Sequence, residues 1–413
     1  MEVITPPKYV KDVMKTLEQR NHSTYLVGGC VRDMLIGLRP NDWDISTSAT
    51  PDEVISLFEK TEPSGITQGT VTVCTSKCKK VEVTTFRREE GFSDHRRPDS
   101  ITYISDLKED LARRDFTVNA LALPLSGILM DPYAGRADIE ARLIRTVGEP
   151  EKRFDEDALR MFRAYRFAAR LGFQLEEKTQ AGILTSAHLA TAVSAERIRY
   201  ECDKILRSAN PDVIFQLVIS RLLDAFLTET EIPDIRFKSL DVTDCNKLSR
   251  WAGFCAVLYK CGLINSVSDF LKAIRLDGDS IGSISMGLEL SKTALPEDKL
   301  NWKLLLCKYG QRAVMCASAA KDALCGSNHH QKQLQAVIKS GECYSLKRLA
   351  INGDDLIALG YNTGSEIGNA LEALLVHVIN EPGDNKRSLL ITRALYLLQN
   401  SNNMSEKMGN TYA

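Results

Sequence analysis

The sequence predicts an α+β protein in which a region of mixed strands and helices is followed by helices alone. Short apolar runs typical of strands alternate with helical patterns in the first third of the 413 residues. Beyond about Arg207 helical periodicity dominates, with breaks near 231–233, 277–280 and 326–329. A chain of this length is long enough for about two to four domains.

The chain begins with a helix, a strand and a glycine turn. Apolar residues at helical spacing predict an amphipathic helix over 7–19, and the apolar run 25–27 predicts a buried strand. Gly28 and Gly29 end that strand, and a glycine turn before a helix lets the backbone approach an anion. Arg32 lies in the first turn of the next predicted helix, where its guanidinium can reach a phosphate.

Acidic residues follow on two predicted strands. In the Asp-Trp-Asp-Ile run at 42–45, alternation places Asp42 and Asp44 on one face, where they repel each other unless a cation lies between them. Mg²⁺ prefers such oxygen ligands together with substrate phosphates. The run 80–86 carries Glu82 opposite two valines. Glu82 supplies a third carboxylate if the two strands are neighbours, and is otherwise a solvated glutamate.

The segments around these strands predict a hairpin and a loop. The β-rich runs 70–75 and 80–86 are joined by a polar turn at 76–79, as in a hairpin. From Arg87 to Ser105 the sequence is polar and irregular, which predicts a mobile surface loop.

The GGCVRD and DWDIST sequences resemble the bacterial-type (class II) CCA-adding tRNA nucleotidyltransferases and their relatives, the bacterial poly(A) polymerases. The resemblance implies a polymerase-beta-type nucleotidyltransferase head followed by helical neck, body and tail domains. It also implies a template-independent reaction in which Mg²⁺ is the cofactor. The implied catalytic residues are Asp42, Asp44 and Glu82, with Asp42 and Asp44 as metal ligands, and the implied triphosphate contacts are Gly28, Gly29 and Arg32.

Two further segments resemble motifs of the same family. The segment RRDFTVNA at 113–120 resembles the motif that handles the ribose, which implies that Arg114, Asp115 and Asn119 contact the nucleotide. The segment EDALR at 156–160 resembles the EDxxR motif, which recognises the base. This match implies nucleotide contacts from Glu156, Asp157 and Arg160, with Arg163 as a further contact.

The hydrogen-bonding groups of Asp157 and Arg160 explain how this pair would select particular bases. The sequence predicts one helix through Phe154–Phe167, on which an acceptor and a donor three residues apart lie side by side. Cytosine and adenine each present an amino donor and a ring-nitrogen acceptor, whereas uracil and guanine present the reverse polarity. A matched bidentate pair is worth about 1–3 kcal/mol. A fixed Asp–Arg pair therefore accepts C and A and rejects U and G. On the same helix, a solvated, salt-bridged polar face is the structural alternative.

The composition limits how the chain can bind RNA or metal and where it can be located. Lys and Arg number 53 against 54 Asp and Glu, so RNA binding must come from local basic patches. The eleven cysteines include no Cys-x-x-Cys pair, and the spacing of Cys74 and Cys78 does not favour zinc. We expect a cytoplasmic protein that has no membrane segment.

The sequence thus predicts addition of the 3′-terminal CCA to tRNA from CTP and ATP. Addition of A alone is the main alternative, and CC addition, poly(A) synthesis and non-catalytic RNA binding remain open. The expected domains are a head at 1–145, a neck at 146–210, a body at 211–330 and a tRNA-binding tail at 331–413. The oligomeric state, monomer or homodimer, is left open.

Overall fold

The structure is a computed structural model that describes residues 5–75, 79–93, 95–96, 98–229, 231, 240, 246–362 and 364–409. Residues 401–409 and Ser64 are described by their backbone alone. The chain divides into two compact units, Met1–Ile232 with Ala273–Arg275, and Pro233–Lys272 with Leu276–Ala413. Within the described part, no helix is both long enough and apolar enough to cross a membrane.

The described strands all lie in the first unit. They are β1 Thr24–Val27, β2 Asp44–Thr47, β3 Thr61–Gly65, β4 Thr70–Cys74, β5 Lys80–Thr85, β6 Arg87–Glu90, β7 Ser100–Tyr103, β8 Ala122–Leu123, β9 Leu143–Ile144 and β10 Gln174–Leu175. The main sheet has the order β3-β4-β5-β2-β1-β8, in which β2 and β5 are parallel and the other neighbours antiparallel. Strands β6 and β7 pair antiparallel, and β9 and β10 pair parallel.

Helices alternate with the strands along the first unit, and after Leu175 all regular elements among the described residues are helical. Those that precede residue 230 are α1 Lys8–Glu18, α2 Gly29–Leu35, α3 Pro51–Leu57, α4 Leu107–Ala112, α5 Gly135–Ala141, α6 Pro150–Glu156, α7 Leu159–Leu171, α8 Glu177–Ser186, α9 Ala195–Leu206 and α10 Ile214–Ile219. Those that follow are α11 Lys247–Lys260, α12 Val267–Ala273, α13 Gly278–Ser291, α14 Lys299–Cys325, α15 His329–Lys339, α16 Gly353–Ala358, α17 Ser365–Asn380 and α18 Arg387–Gly409.

Alternation and helical periodicity explain the core of the first unit. Helix α1 buries Val10, Val13, Met14 and Leu17, which confirms the predicted amphipathic helix. Strand β5 buries alternate residues and leaves Glu82 exposed on the opposite face. The sheet therefore has one apolar face for packing and leaves polar side chains on the other.

All regular secondary structure among the described residues of the second unit is helical. Helix α14 is interrupted at Gly310, whose φ of 77° no helix accommodates. One apolar cluster includes Trp302 and Leu306 of α14 with Leu334 of α15. Another is built on α17 and α18 and includes Leu374.

Several local predictions are confirmed. Strands β4 and β5 form the predicted antiparallel hairpin, whose turn residues Ser76, Lys77 and Cys78 lie outside the described residues. Strand β5 is also the parallel neighbour of β2, in a register that pairs Asp44 with Glu82. The acidic residues of the two strands are therefore adjacent, as the sequence required for a third carboxylate.

Three other predictions are wrong: the irregular loop at 87–105, the strand start at Asp42 and the single helix through Phe154–Phe167. The segment 87–105 is not irregular throughout, because β6 and β7 pair as hairpin arms, a pairing that its polar composition concealed. Its residues Asp94 and Arg97 lie outside the described part. Strand β2 begins at Asp44, so Asp42 lies in the bend before it.

The helix predicted through Phe154–Phe167 is in fact two helices. Helix α6 ends at Glu156, and Asp157 has extended backbone angles, φ −146° and ψ 102°. The Asp157 carboxylate then accepts the backbone N–H of Leu159, the first residue of α7, at 3.1 Å. The break redirects Asp157 away from the helical face on which the sequence placed it.

Candidate active site

The glycine turn after β1 requires glycine at Gly28. Its φ of 74° and ψ of −134° are rare for residues with a side chain. A Cβ atom there would also lie 2.8 Å from Nη1 of Arg114. The guanidinium of Arg114 therefore rests against the turn that was predicted to bind phosphate.

Arg114 connects this turn to the acidic strand. Its Nη2 donates to Oγ of Ser46 at 3.4 Å, and Ser46 lies two residues after Asp44 in β2. Among the described residues, the buried Nε of Arg114 has no hydrogen-bond partner. A guanidinium with a free donor beside a glycine turn suits an incoming triphosphate.

The acidic residues form a donor set suited to a hard cation. Burial, followed by the negative charges of Glu82 and Asp42, raises the pKa of Asp44 to about 6, although Arg114 opposes this shift. A divalent cation would relieve this repulsion, so the residues present fit such a group. Within the described residues, no three His, Cys, Asp or Glu side chains are close enough to hold a metal without other ligands.

Asp115 and Asn119 form a network with Arg163. Oδ2 of Asp115 accepts from Nε and Nη2 of Arg163 at 2.9 and 2.5 Å, and its Oδ1 accepts from Nδ2 of Asn119 at 3.0 Å. Burial acts to raise the pKa of Asp115, but Arg163 and these hydrogen bonds outweigh it and hold the pKa well below its usual range. Asp115 is therefore a firmly ionised anchor between the 3₁₀ turn Thr117–Asn119 and α7.

Arg32 occupies an interior position rather than an open one. Its side chain is 1% exposed, and its Nε donates to Oδ1 of Asp33 at 2.9 Å. Its Nη1 donates to Oδ1 of Asn119. Its guanidinium also lies 5.2 Å from the ring centroid of Phe167. Arg32 therefore supports Asn119 from the interior of the protein. Gly29 is the first residue of α2.

Glu156 and Arg160, both predicted nucleotide contacts, form an ion pair with each other. Oε2 of Glu156 accepts from Nη1 of Arg160 at 2.7 Å, and its Oε1 accepts from Arg153 at 2.7 Å. Nη2 of Arg160 donates to the carbonyl of Arg113 at 3.2 Å. Asp157 instead faces Arg197 at 3.4 Å. Glu156 thus fixes Arg160, and Asp157 has its own arginine neighbour.

A basic cavity of about 420 Å³ brings part of the predicted site together. It contains five of the predicted nucleotide contacts and further arginines that the sequence argument did not select. The lining residues are Gln68, Arg87, Glu89, Phe92, Arg96, Pro98, Arg113, Arg114, Asp115, Asp157, Leu159, Arg160, Arg163 and Arg197. With seven arginines and three carboxylates, this cavity attracts anions.

The other predicted residues lie outside the lining of this cavity. They are Gly28, Gly29, Arg32, Asp42, Asp44, Glu82, Asn119 and Glu156. Arg114 joins the two groups, because it lines the cavity and also contacts the glycine turn. Arg197, in the first turn of α9, also lines this cavity and was not predicted from the sequence.

A glycine turn, acidic strands and a basic cavity together are the features expected of a nucleotidyltransferase. Comparisons with known proteins agree: the family model for the Poly A polymerase head domain matches residues 24–145. The model for the probable RNA and SrmB-binding site of polymerase A matches 172–232. A model for tRNA nucleotidyltransferase domain 2 matches 248–394.

Similar proteins cover nearly the whole chain. The CCA-adding enzyme of Geobacillus sp. strain WCH70 is 36% identical over 88% of this chain and 91% of its own length. That of Limosilactobacillus fermentum is 36% identical over 94% and 96%. The crystal structure of the Bacillus stearothermophilus CCA-adding enzyme in complex with CTP has a TM-score of 0.73 at 31% identity, covering 98% of this chain and 100% of that one. The chain belongs to the CCA-adding enzyme family, which generally uses divalent metal ions.

Proposed function

We propose that this chain adds the 3′-terminal CCA to tRNA, using CTP and ATP and without a nucleic-acid template. One observation carries the proposal: Asp157 and Arg160 line the same basic cavity as Arg114, whose guanidinium rests on the glycine turn. A cavity of this kind can bind a base at one end and a triphosphate at the other. The CCA-adding relatives that cover most of the chain support the same function.

The reaction is the transfer of a nucleotidyl group to the 3′-hydroxyl of RNA. Asp42 and Asp44 would hold Mg²⁺, with Glu82 beside them in the neighbouring strand. When bound, Mg²⁺ supplies charge neutralisation at the triphosphate and lowers the pKa of the attacking hydroxyl. The chain therefore needs no separate side chain as general base.

Residues of the turn and the cavity orient the nucleotide. The backbone of Gly28 and Gly29 and the guanidinium of Arg114 are the triphosphate contacts, with Arg32 behind the turn. We assign contacts with the ribose to Asp115 and Asn119; Arg163 holds the carboxylate of Asp115, which in turn accepts a hydrogen bond from Asn119.

Recognition of the base falls to Asp157 and Arg160. Asp157 offers an acceptor to the amino group of cytosine or adenine, and Arg160 offers a donor to the ring nitrogen. Glu156 holds the guanidinium of Arg160 in place. Bases of reversed polarity would leave these groups unpaired, which adds to the cost of a mismatch.

Addition of A alone remains the second candidate. The cavity is lined by Phe92, Arg96 and Pro98 from the segment between β6 and β7, which favours an enzyme that keeps this segment in use. In the family that the sequence resembles, this segment is retained by enzymes that add the terminal A and shortened in those that add only C. Its presence therefore argues against CC addition but does not separate CCA addition from A addition.

We further propose a separate role for each domain. Residues 1–145 are the catalytic head, 146–210 the neck for base recognition, 211–330 the body and 331–413 the tail that binds tRNA. A tRNA substrate would be met in the cytoplasm, which supports the location expected from the sequence.

The test uses three tRNA transcripts that end before CCA, after C and after CC. Each is incubated with Mg²⁺ and with CTP, ATP or both. Growth of all three to a finished CCA, without further extension, is the expected result. Extension of the CC-ended transcript alone, with ATP alone, would identify an A-adding enzyme. Long A tracts would identify a poly(A) polymerase, and no growth would leave an RNA-binding relative.

A further inference from the structure

Asp110 is a buried carboxylate beside the candidate site that was not predicted from the sequence. Asp110 lies in α4 and is fully buried, with 0% of its surface exposed. Its Oδ1 accepts Nε of Arg113 at 2.9 Å and the backbone N–H of Arg87 at 3.2 Å. Its Oδ2 accepts Oγ–H of Ser46 at 3.2 Å and lies 3.9 Å from Nη2 of Arg114. One carboxylate therefore contacts both adjacent arginines.

Each partner of Asp110 belongs to a different part of the site. Ser46 follows Asp44 in β2, and Arg87 begins β6. Arg114 rests on the glycine turn, and the carbonyl of Arg113 accepts Nη2 of Arg160. Asp110 is thus bonded to the acidic strand, to the hairpin and to the arginine pair at the same time.

The charges explain why a carboxylate is needed at this position. Two adjacent guanidinium groups repel each other, and burial makes an unpaired charge costly. Arg113 has a second carboxylate in Glu89, at 3.2 Å. In the described part of the chain, Arg114 has no second carboxylate within ion-pairing distance, although its charge is near enough to Asp44 to oppose the rise in the pKa of that residue. Without Asp110, Arg114 would turn toward Asp44 and compete with a metal ion there.

We propose that Asp110 is a positioning residue for nucleotide addition. It holds Arg114 against the glycine turn and away from Asp44, and it holds Arg113 so that its carbonyl supports Arg160. This inference rests on the proposed function. Asp110 acts through the two arginines and does not itself touch the nucleotide.

The test is Asp110→Asn in the full-length protein, because the amide keeps the shape and removes the charge. We expect the Kd for CTP, measured by calorimetry with Mg²⁺ and without tRNA, to rise at least tenfold. The KM values for CTP and ATP should rise equally, the Mg²⁺ concentration for half-maximal rate should increase, and the Kd for tRNA should stay within twofold.

Asp322→Asn is the matched control. Asp322 is a buried carboxylate of the second unit that accepts hydrogen bonds from Ser327, His330 and Gln331. Its substitution should lower the melting temperature by a comparable amount and leave the KM for CTP unchanged. Equal KM values in wild type and Asp110→Asn would overturn the inference, as would an equal KM change in both variants.

Two further measurements keep the outcomes separate. If Asp110→Asn does not fold, Ser46→Ala removes the hydroxyl between Asp110 and Arg114, and it should raise the KM for CTP about two- to fivefold. A Ser46→Ala protein with unchanged KM then counts against the inference. Wild-type protein assayed in parallel tests the proposed function itself: if it adds no nucleotide, that function fails, whatever CTP affinity the variants have.

Discussion

Substitution of Gly28 by alanine tests the contact between Arg114 and the glycine turn. The new Cβ atom would lie 2.8 Å from Nη1 of Arg114. Ordinary van der Waals separation is about 3.5 Å or more. The guanidinium must therefore move by roughly 0.7 Å, which its flexible side chain can do at low cost in stability. Because a misplacement of about 1 Å at a reacting group can cost about a hundredfold in rate, we expect kcat/KM to fall by about 10- to 100-fold.

Gly37 provides the control for backbone strain. Its φ of 76° is close to the 74° of Gly28, but a Cβ atom there would meet nothing within 4 Å. Alanine at either position costs about 1–3 kcal/mol of stability because of the positive φ. For a unit of this size, each kcal/mol lowers the melting temperature by about 2–4 °C.

The assay compares both alanine variants in addition to tRNA at varied CTP and in thermal unfolding. We expect both proteins to melt at lower temperature and only the Gly28 variant to lose activity at a temperature where both are folded. If Gly37→Ala loses as much kcat/KM as Gly28→Ala, then strain alone explains the effect. The contact of Arg114 with the turn would then have no catalytic role.

Three further predictions concern the charged groups. Asp42→Ala or Asp44→Ala should abolish addition and leave the tRNA Kd nearly unchanged, so weak tRNA binding by either variant would contradict the metal-ligand assignment. Because the pKa of Asp44 is raised to about 6, its protonated form is favoured below that value. The Mg²⁺ concentration for half-maximal rate should therefore rise about tenfold per pH unit below about 6. A Mg²⁺ requirement that stays constant from pH 5 to 8 would refute this prediction. The pKa of Asp115 is depressed in the folded protein, so the stabilisation that its carboxylate provides is complete above about pH 4, the ordinary range of aspartate. This stabilisation is lost as the pH falls through the folded-state pKa. Asp115→Asn should therefore lower the free energy of unfolding at pH 7 and make that free energy less dependent on acid in urea titrations, whereas an unchanged free energy at pH 7 would contradict the pairing with Arg163.

The local sequence pattern predicted where strands and helices occur better than it predicted which of them lie next to each other. Alternation in 80–86 correctly predicted a strand with Glu82 opposite the valines, but whether that strand lies beside β2 depends on contacts across the sheet. The break at Asp157 was missed because helical periodicity continues on both sides of it. The break lies at a single residue, Asp157, with extended backbone angles, and a period averaged over several turns does not register it.

The site residues that sequence reasoning missed share one property, which is partnership over a long distance in the chain. Asp110 contacts Ser46 across 64 positions, and Arg197 faces Asp157 across 40. Asp110 also lies in a short helix whose charged residues are typical of a solvated surface. Local sequence gives the type of each residue, whereas burial and charge pairing give Asp110 its role, and these arise only when the sheet and α4 come together.

The contacts between the arginine segment and the following helices suggest how the base affects the phosphates. Arg153 of α6 donates to the carbonyl of Ala112 at 3.0 Å, and Arg160 of α7 donates to that of Arg113. Arg163 of α7 holds Asp115. The two helices to which we assign base recognition are therefore bonded to the residues on both sides of Arg114. A base that displaces Arg160 would disturb Arg114 through this short segment, so a mismatch should reduce kcat as well as affinity. Discrimination against UTP and GTP measured at saturating nucleotide should then persist, because it would arise from misaligned phosphates and not from weak binding alone.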